Sequence, residues 1–154
     1  MALEIERRFL VANDSWRDEV ERSLNIQQGY LSTDPNRVIR VRLQADEAFL
    51  TVKTKAVDLT RAEYEYPIPL TDGQALLRLC QENTIDKTRH LLHYQGKLWE
   101  IDVFSARHRG LVIAEIELQS SDESIALPSW LGEEVSGNYR YSNSYLSQHP
   151  DVDF

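Results

Sequence analysis

Arg37-Val38-Ile39-Arg40-Val41-Arg42-Leu43-Gln44 alternates positive charge with branched apolar residues. Successive side chains of a β-strand point to opposite faces, so Arg40 and Arg42 share one face while Ile39, Val41 and Leu43 share the other. Like charges brought together on one face are unfavourable on an ordinary wet strand. The same arrangement nevertheless recurs in Glu4 and Glu6 followed by Arg8, Lys53 and Lys55, Glu63 and Glu65, Lys87 and Arg89, Glu100 and Asp102, and Glu115 and Glu117. Ile5, Val52, Tyr64, Tyr66, Ile101, Val103, Ala114, Ile116 and Leu118 supply the opposite, apolar face.

Working outward from these pairs, alternation and turn residues predict eight strands, near Leu3 to Val11, Ile26 to Ser32, Arg37 to Gln44, Ala48 to Lys55, Arg61 to Tyr66, Asp86 to Tyr94, Lys97 to Phe104 and Leu111 to Gln119. Short connections at Asp46-Glu47, Gln95-Gly96 and Arg107 to Gly110 imply consecutive antiparallel neighbours. Pro67 and Pro69 are expected to end the fifth strand, since proline donates nothing to a ladder. Two amphipathic helices are predicted over Asp14 to Leu24 and Thr71 to Asn83, each opened by a capping-box pattern. Shorter helical turns are expected at Asp122 to Leu127 and Ser142 to Ser147.

A half-buried sheet with its charges in water is the default reading of such alternation. Two features favour closure instead: seven of the eight strands carry like-charged pairs, and two amphipathic helices are available to cover an apolar outer surface. Eight strands close into a barrel. The expected fold is therefore α+β, a closed eight-stranded antiparallel β-barrel forming a tunnel with a charged lumen, covered outside by amphipathic helices. At 154 residues one domain suffices, expected over 1–148 with an acidic tail at 149–154.

The balance of 17 Lys and Arg against 25 Asp and Glu gives a net charge of -8, unlike the basic footprint of a nucleic-acid binder. Apolar runs are short and the start has no signal-peptide anatomy, so neither membrane insertion nor secretion is expected. The single Cys80 suits a reducing cytoplasm. Enclosed charges must be paired, solvated or matched to a ligand. Basic and acidic strands around one lumen suit a small polyanion accompanied by Mg²⁺ or Mn²⁺: Arg and Lys take phosphate oxygens, while carboxylates take hard divalent ions.

Glu4-Ile5-Glu6-Arg7-Arg8 resembles the Glu-x-Glu-x-Lys signature of the CYTH superfamily, the triphosphate tunnel metalloenzymes, with Arg8 in place of the lysine. Gln28-Gly29-Tyr30-Leu31, Ile39 to Arg42, Thr51 to Lys53, Arg61 to Glu65, Lys87 to Arg89, Glu100 to Phe104, Ala114 to Glu117 and Tyr139 to Asn143 follow as family-like blocks. The chain is most similar to the short bacterial single-domain members, several of which hydrolyse inorganic tripolyphosphate. The resemblance implies metal binding by Glu4, Glu6, Glu115 and Glu117, assisted by Glu63 and Asp102. It implies triphosphate binding by Arg8, Arg40, Arg42, Lys53, Lys87, Arg89 and Arg140. Tyr30, Glu6 and Lys87 become the catalytic candidates, with Tyr30 either a proton acceptor favoured in its anionic form by neighbouring cations or a structural hydrogen-bonding group. Thiamine or nucleoside triphosphate hydrolysis, a class IV adenylyl cyclase and a non-catalytic polyphosphate binder are the alternatives. Oligomeric state stays open.

Overall fold

The computed structural model describes residues 2–149. The strands are β1 (Ala2–Val11), β2 (Arg22–Ser32), β3 (Arg37–Gln44), β4 (Glu47–Thr54), β5 (Thr60–Ile68), β6 (Thr84–Tyr94), β7 (Lys97–Phe104), β8 (Val112–Glu117) and β9 (Leu131–Glu134). They form one sheet in the order β5-β4-β3-β2-β6-β7-β8-β1-β9. An additional β5–β1 pairing, from Ala2↔Glu63 to Ile5↔Thr60, closes the first eight into an antiparallel barrel. The ninth strand, which no alternation announces, pairs with the far half of β1.

Closure puts the alternating charges inside and the apolar face outside. Phe9, Trp99, Ile101, Ala114 and Ile116 form the outer core over β1, β7 and β8, covered by Trp16 and Trp130. A second cluster of Tyr30, Val38, Ile85, Phe104 and Ile113, in phase with the inward side chains of its strands, packs on Leu146 of the helix α2 (Asn143–Gln148). The helix α1 (Leu70–Leu79) lies over β2, β3 and β4. Its close seat is set by glycine: a Cβ on Gly29 of β2 would stand 2.6 Å from both Cβ and Sγ of Cys80.

The helical cover is smaller than expected. Asp14 to Leu24 holds only a short 3-10 helix, Ser15–Glu19, and the chain from Arg22 onward is already strand. Pairing with β6 from Arg22↔Leu91 to Gly29↔Thr84 supplies a full ladder, and that outcompetes a local helical pattern. Neither helix start carries the predicted capping-box bond. Asp122 to Leu127 is irregular, whereas the Ser142 to Ser147 turn is helix α2. Strand β5 runs through Pro67 to Ile68 because beyond Glu63 its edge facing β1 is unpaired, where a missing N–H costs nothing. Of the expected acidic tail, His149 stacks on Tyr145 at 3.8 Å and residues 150–154 lie outside the described residues.

Candidate functional site

The barrel encloses a cavity of about 220 Å³, with seven basic and seven acidic side chains on its wall. The lining is thus charge-balanced, and the net -8 resides elsewhere on the chain. Arg8, Arg40, Arg42, Lys53, Lys87 and Arg89 all reach it, as do Glu4, Glu6, Glu63, Glu115, Glu117 and Tyr30. Two predicted residues do not. Arg140 is exposed, in a 3-10 turn following the last strand. Asp102 is off the cavity lining and fully buried, with both carboxylate oxygens committed to cations.

Asp102 is the anchor of the basic side. It lies 2.7 Å from Lys87 Nζ and accepts from Arg89 Nε and an Arg89 terminal nitrogen at 2.8 and 2.9 Å. Burial opposes its charge, but Arg89 and Lys87 hold its carboxyl well below the usual range. Arg89 also donates to Glu100 at 2.9 Å. Lys53 Nζ is 2.9 Å from Glu4 and 3.4 Å from Glu63. Arg40 is 3.6 Å from Glu65, and its buried Nε has no partner. Among the described residues Arg42 has no carboxylate within ion-pair distance; its Nε donates to Gln28 Oε1 at 2.9 Å. Burial next to Arg40 and Arg89 pushes Arg42 down to about 9, and burial pushes Lys87 down to about 8. These are cations whose counter-charge is incomplete.

The acidic side is built from β1 and β8. Register places Glu6 opposite Glu117 and Arg8 opposite Glu115. Arg8 Nε is 3.2 Å from Glu6 and 3.6 Å from Glu115, and a terminal nitrogen donates to the Tyr141 carbonyl at 2.8 Å. Burial disfavours the Arg8 charge, yet Glu6 and Glu115 outweigh that and raise its pKa. Glu117 has no cation partner among the described residues; burial and the charges of Glu4, Glu6 and Glu115 push its carboxyl up. Glu4 Oε1 is buried without a hydrogen-bond partner. Like charges directly opposite on neighbouring strands repel, so this wall suits a shared cation. Among the described residues no three carboxylates or imidazoles already converge on one point, which fits an ion held jointly by one or two carboxylates and substrate oxygens.

For Tyr30 the surroundings favour the hydrogen-bonding role of the two left open. Burial outweighs the nearby Arg40, Arg42, Arg61 and Arg8, so its pKa is raised and the phenol keeps its proton. Arg61, Glu65 and Glu100 line the cavity but were absent from the predicted set. Arg61 is in phase with Glu63 and Glu65 but opposite in sign, so it belongs to no like-charged pair. Gln28 is in phase with Tyr30, whereas Ser142, Asn143 and Ser144 enter from α2 and its cap, where strand alternation says nothing.

Residues 2–148 match the family model described as CYTH domain. An inorganic triphosphatase of Acetivibrio thermocellus is 38% identical over 155 residues, covering 100% of this chain and 99% of the relative. An inorganic triphosphatase of Nitrosomonas europaea is 36% identical, covering 94% of this chain and 96% of the relative. A crystal structure of an inorganic triphosphatase superposes with a TM-score of 0.70 at 35% identity, covering 96% of this chain and 95% of the other.

Proposed function

This chain belongs to the CYTH domain family, and from that premise we propose that it is a divalent-metal-dependent hydrolase that splits inorganic tripolyphosphate into pyrophosphate and phosphate. The observation that carries this reading is the division of one small cavity into two walls: a basic wall with incompletely compensated Arg40, Arg42 and Lys87, and a carboxylate wall whose Glu117 has no cation partner among the described residues. A volume of about 220 Å³ is below the roughly 300 Å³ at which small-molecule pockets typically begin, and favours a bare triphosphate over one carrying a base or thiamine. Residues 1–148 are read as the tunnel domain.

Arg40, Arg42, Lys53, Lys87 and Arg89 bind the phosphoryl oxygens and orient the chain of anhydrides along the tunnel. Glu4, Glu6, Glu115 and Glu117 would hold the metal, with Glu63 beside Lys53 and Glu4 in support; Mg²⁺ or Mn²⁺ suits all-oxygen ligands. A divalent ion bound there supplies charge neutralisation and a more acidic water. Glu6 accepts the proton of the attacking water, while Tyr30, kept protonated, donates a hydrogen bond to a phosphoryl oxygen. Asp102 acts by holding Lys87 and Arg89 in place. Positioning and charge compensation carry most phosphoryl transfer, which fits a site with no activated Ser or Cys. No described helix is long and apolar enough to cross a membrane, and we place the enzyme in the cytoplasm.

The test is phosphate release from tripolyphosphate, pyrophosphate, ATP and thiamine triphosphate with Mg²⁺, Mn²⁺ or chelator. Release should be greatest from tripolyphosphate and cease with chelator. Glu117→Gln should lower metal-dependent release at least a hundredfold, with no loss of melting temperature in chelator, since it removes like-charge repulsion. Release in chelator, or an active Glu117→Gln enzyme, overturns the reading.

A further inference from the structure

Most cations on the cavity wall are held by carboxylates, which fix their position and also cancel their charge. Lys53 rests on Glu4 at 2.9 Å, Arg89 on Asp102, Arg8 on Glu6 and Arg40 near Glu65. Two cations rest on amides as well, Arg42 without a carboxylate among the described residues and Lys87 beside its contact with Asp102 at 2.7 Å. Arg42 Nε donates to the amide oxygen of Gln28 at 2.9 Å, and Lys87 Nζ donates to the amide oxygen of Asn143 at 2.9 Å. The same Asn143 oxygen accepts from Gln28 Nε2 at 3.1 Å, and Gln28 Nε2 also donates to the Tyr30 hydroxyl at 2.9 Å. Gln28 is fully buried and Asn143 nearly so, so both amides are locked by what they bond. The Arg42 and Lys87 donors fix which amide atom of Gln28 and of Asn143 is the oxygen.

We propose that Gln28 and Asn143 are positioning residues that hold Arg42 and Lys87 through neutral acceptors, leaving the positive charge of Arg42 unspent, and that of Lys87 only partly spent on Asp102, for a substrate phosphoryl group. An amide oxygen supplies the same directional hydrogen bond as a carboxylate oxygen without its charge. Lys87 shares its one carboxylate, Asp102, with Arg89, so two cations divide one anion there. Arg42 has none. The pair therefore forms the least neutralised part of the wall, and the network ties it to α2 through Asn143. This inference rests on the triphosphatase reading for the identity of the polyanion.

The test compares acidic isosteres with truncations: Gln28→Glu and Asn143→Asp against Gln28→Ala and Asn143→Ala. Asn143→Asp keeps the oxygen that meets both Lys87 and Gln28 and exchanges the amide NH2 for a charged oxygen, so it decides the matter if Gln28→Glu fails to fold. Binding of tripolyphosphate is measured by calorimetry at pH 7 in chelator, alongside melting temperature and, with metal, kcat and KM. The acidic isostere should weaken binding more than tenfold, exceed the loss from alanine, raise KM more than it lowers kcat, and leave the melting temperature unchanged or higher. A purely structural amide predicts the reverse order. Alanine worse than the acidic isostere, or acidic isosteres binding within twofold of wild type, overturns the proposal. The binding readout needs no turnover, so it is decided separately from the phosphate release on which the triphosphatase reading stands.

Discussion

Replacing Asp102 by Asn removes the buried charge that holds two cations while keeping nearly the same shape. Three contacts between 2.7 and 2.9 Å are lost or weakened, at a residue with no solvent exposure. Lys87 is then left with neutral Asn143, but its loss is limited: with a pKa of about 8 it can shed its proton at pH 7 for about 1.4 kcal/mol. Arg89 cannot deprotonate. It retains Glu100 at 2.9 Å and Glu115 at 3.7 Å, so its share is about 1.5–3 kcal/mol, the worth of a charge-assisted bond. The sum is about 3–4 kcal/mol, within the range for breaking a buried pair, and corresponds to roughly 10 °C in Tm for a chain of this size. Urea unfolding at pH 7 should show a lower midpoint with an unchanged slope. The carboxyl of Asp102 is depressed in the folded protein, so its stabilisation is complete above its unfolded pKa of ~3.9 and is lost as pH falls through the lower folded value. The gap between wild type and Asp102→Asn should therefore be steady near pH 5–7 and shrink in stronger acid. A gap below about 1 kcal/mol at pH 7 would refute the assignment of Asp102 as the anchor.

Lys87 should also make substrate binding fade in alkali. Its pKa of about 8 lies below the unfolded value of ~10.4, so burying its charge costs stability below pH 8 and that cost is relieved between the two values. Tripolyphosphate affinity in chelator should fall above pH 8, approaching tenfold per pH unit for this one proton, and Lys87→Met should flatten the profile; a wild-type affinity constant from pH 7 to 9.5 contradicts this. Gly29→Ala should destabilise by about 1–3 kcal/mol, because its Cβ meets both Cβ and Sγ of Cys80 at 2.6 Å, and Cys80→Ala should not rescue it since the Cβ remains. An unchanged melting temperature for Gly29→Ala would mean that α1 is not seated as described.

Alternation alone located all eight barrel strands and separated their charged face from their apolar one. The reason is local: strand side chains alternate whatever the rest of the chain does. Alternation also placed Glu4, Glu6, Arg40, Arg42, Lys53, Lys87, Arg89, Glu115 and Glu117 on one surface, and all of them reach the cavity. Helical periodicity misled at Asp14 to Leu24, because a ladder with a strand more than sixty residues away decides that segment. Likewise Lys55 shares the parity of Lys53 but lies beyond the end of β4 at Thr54 and is exposed.

What the tertiary structure alone decided is who neutralises whom. Asp102 shares its strand face with Glu100, yet it is fully buried with both oxygens taken by Lys87 and Arg89. Tyr30 lies among arginines, but burial dominates and keeps its proton. Arg42 and Lys87 read like any other cations in the sequence; only the arrival of Gln28 from β2 and Asn143 from α2 shows that amides hold them. Pairing and desolvation depend on distances across strands distant in sequence, so one chain of letters fixes which charges face inward but not which of them remain uncompensated.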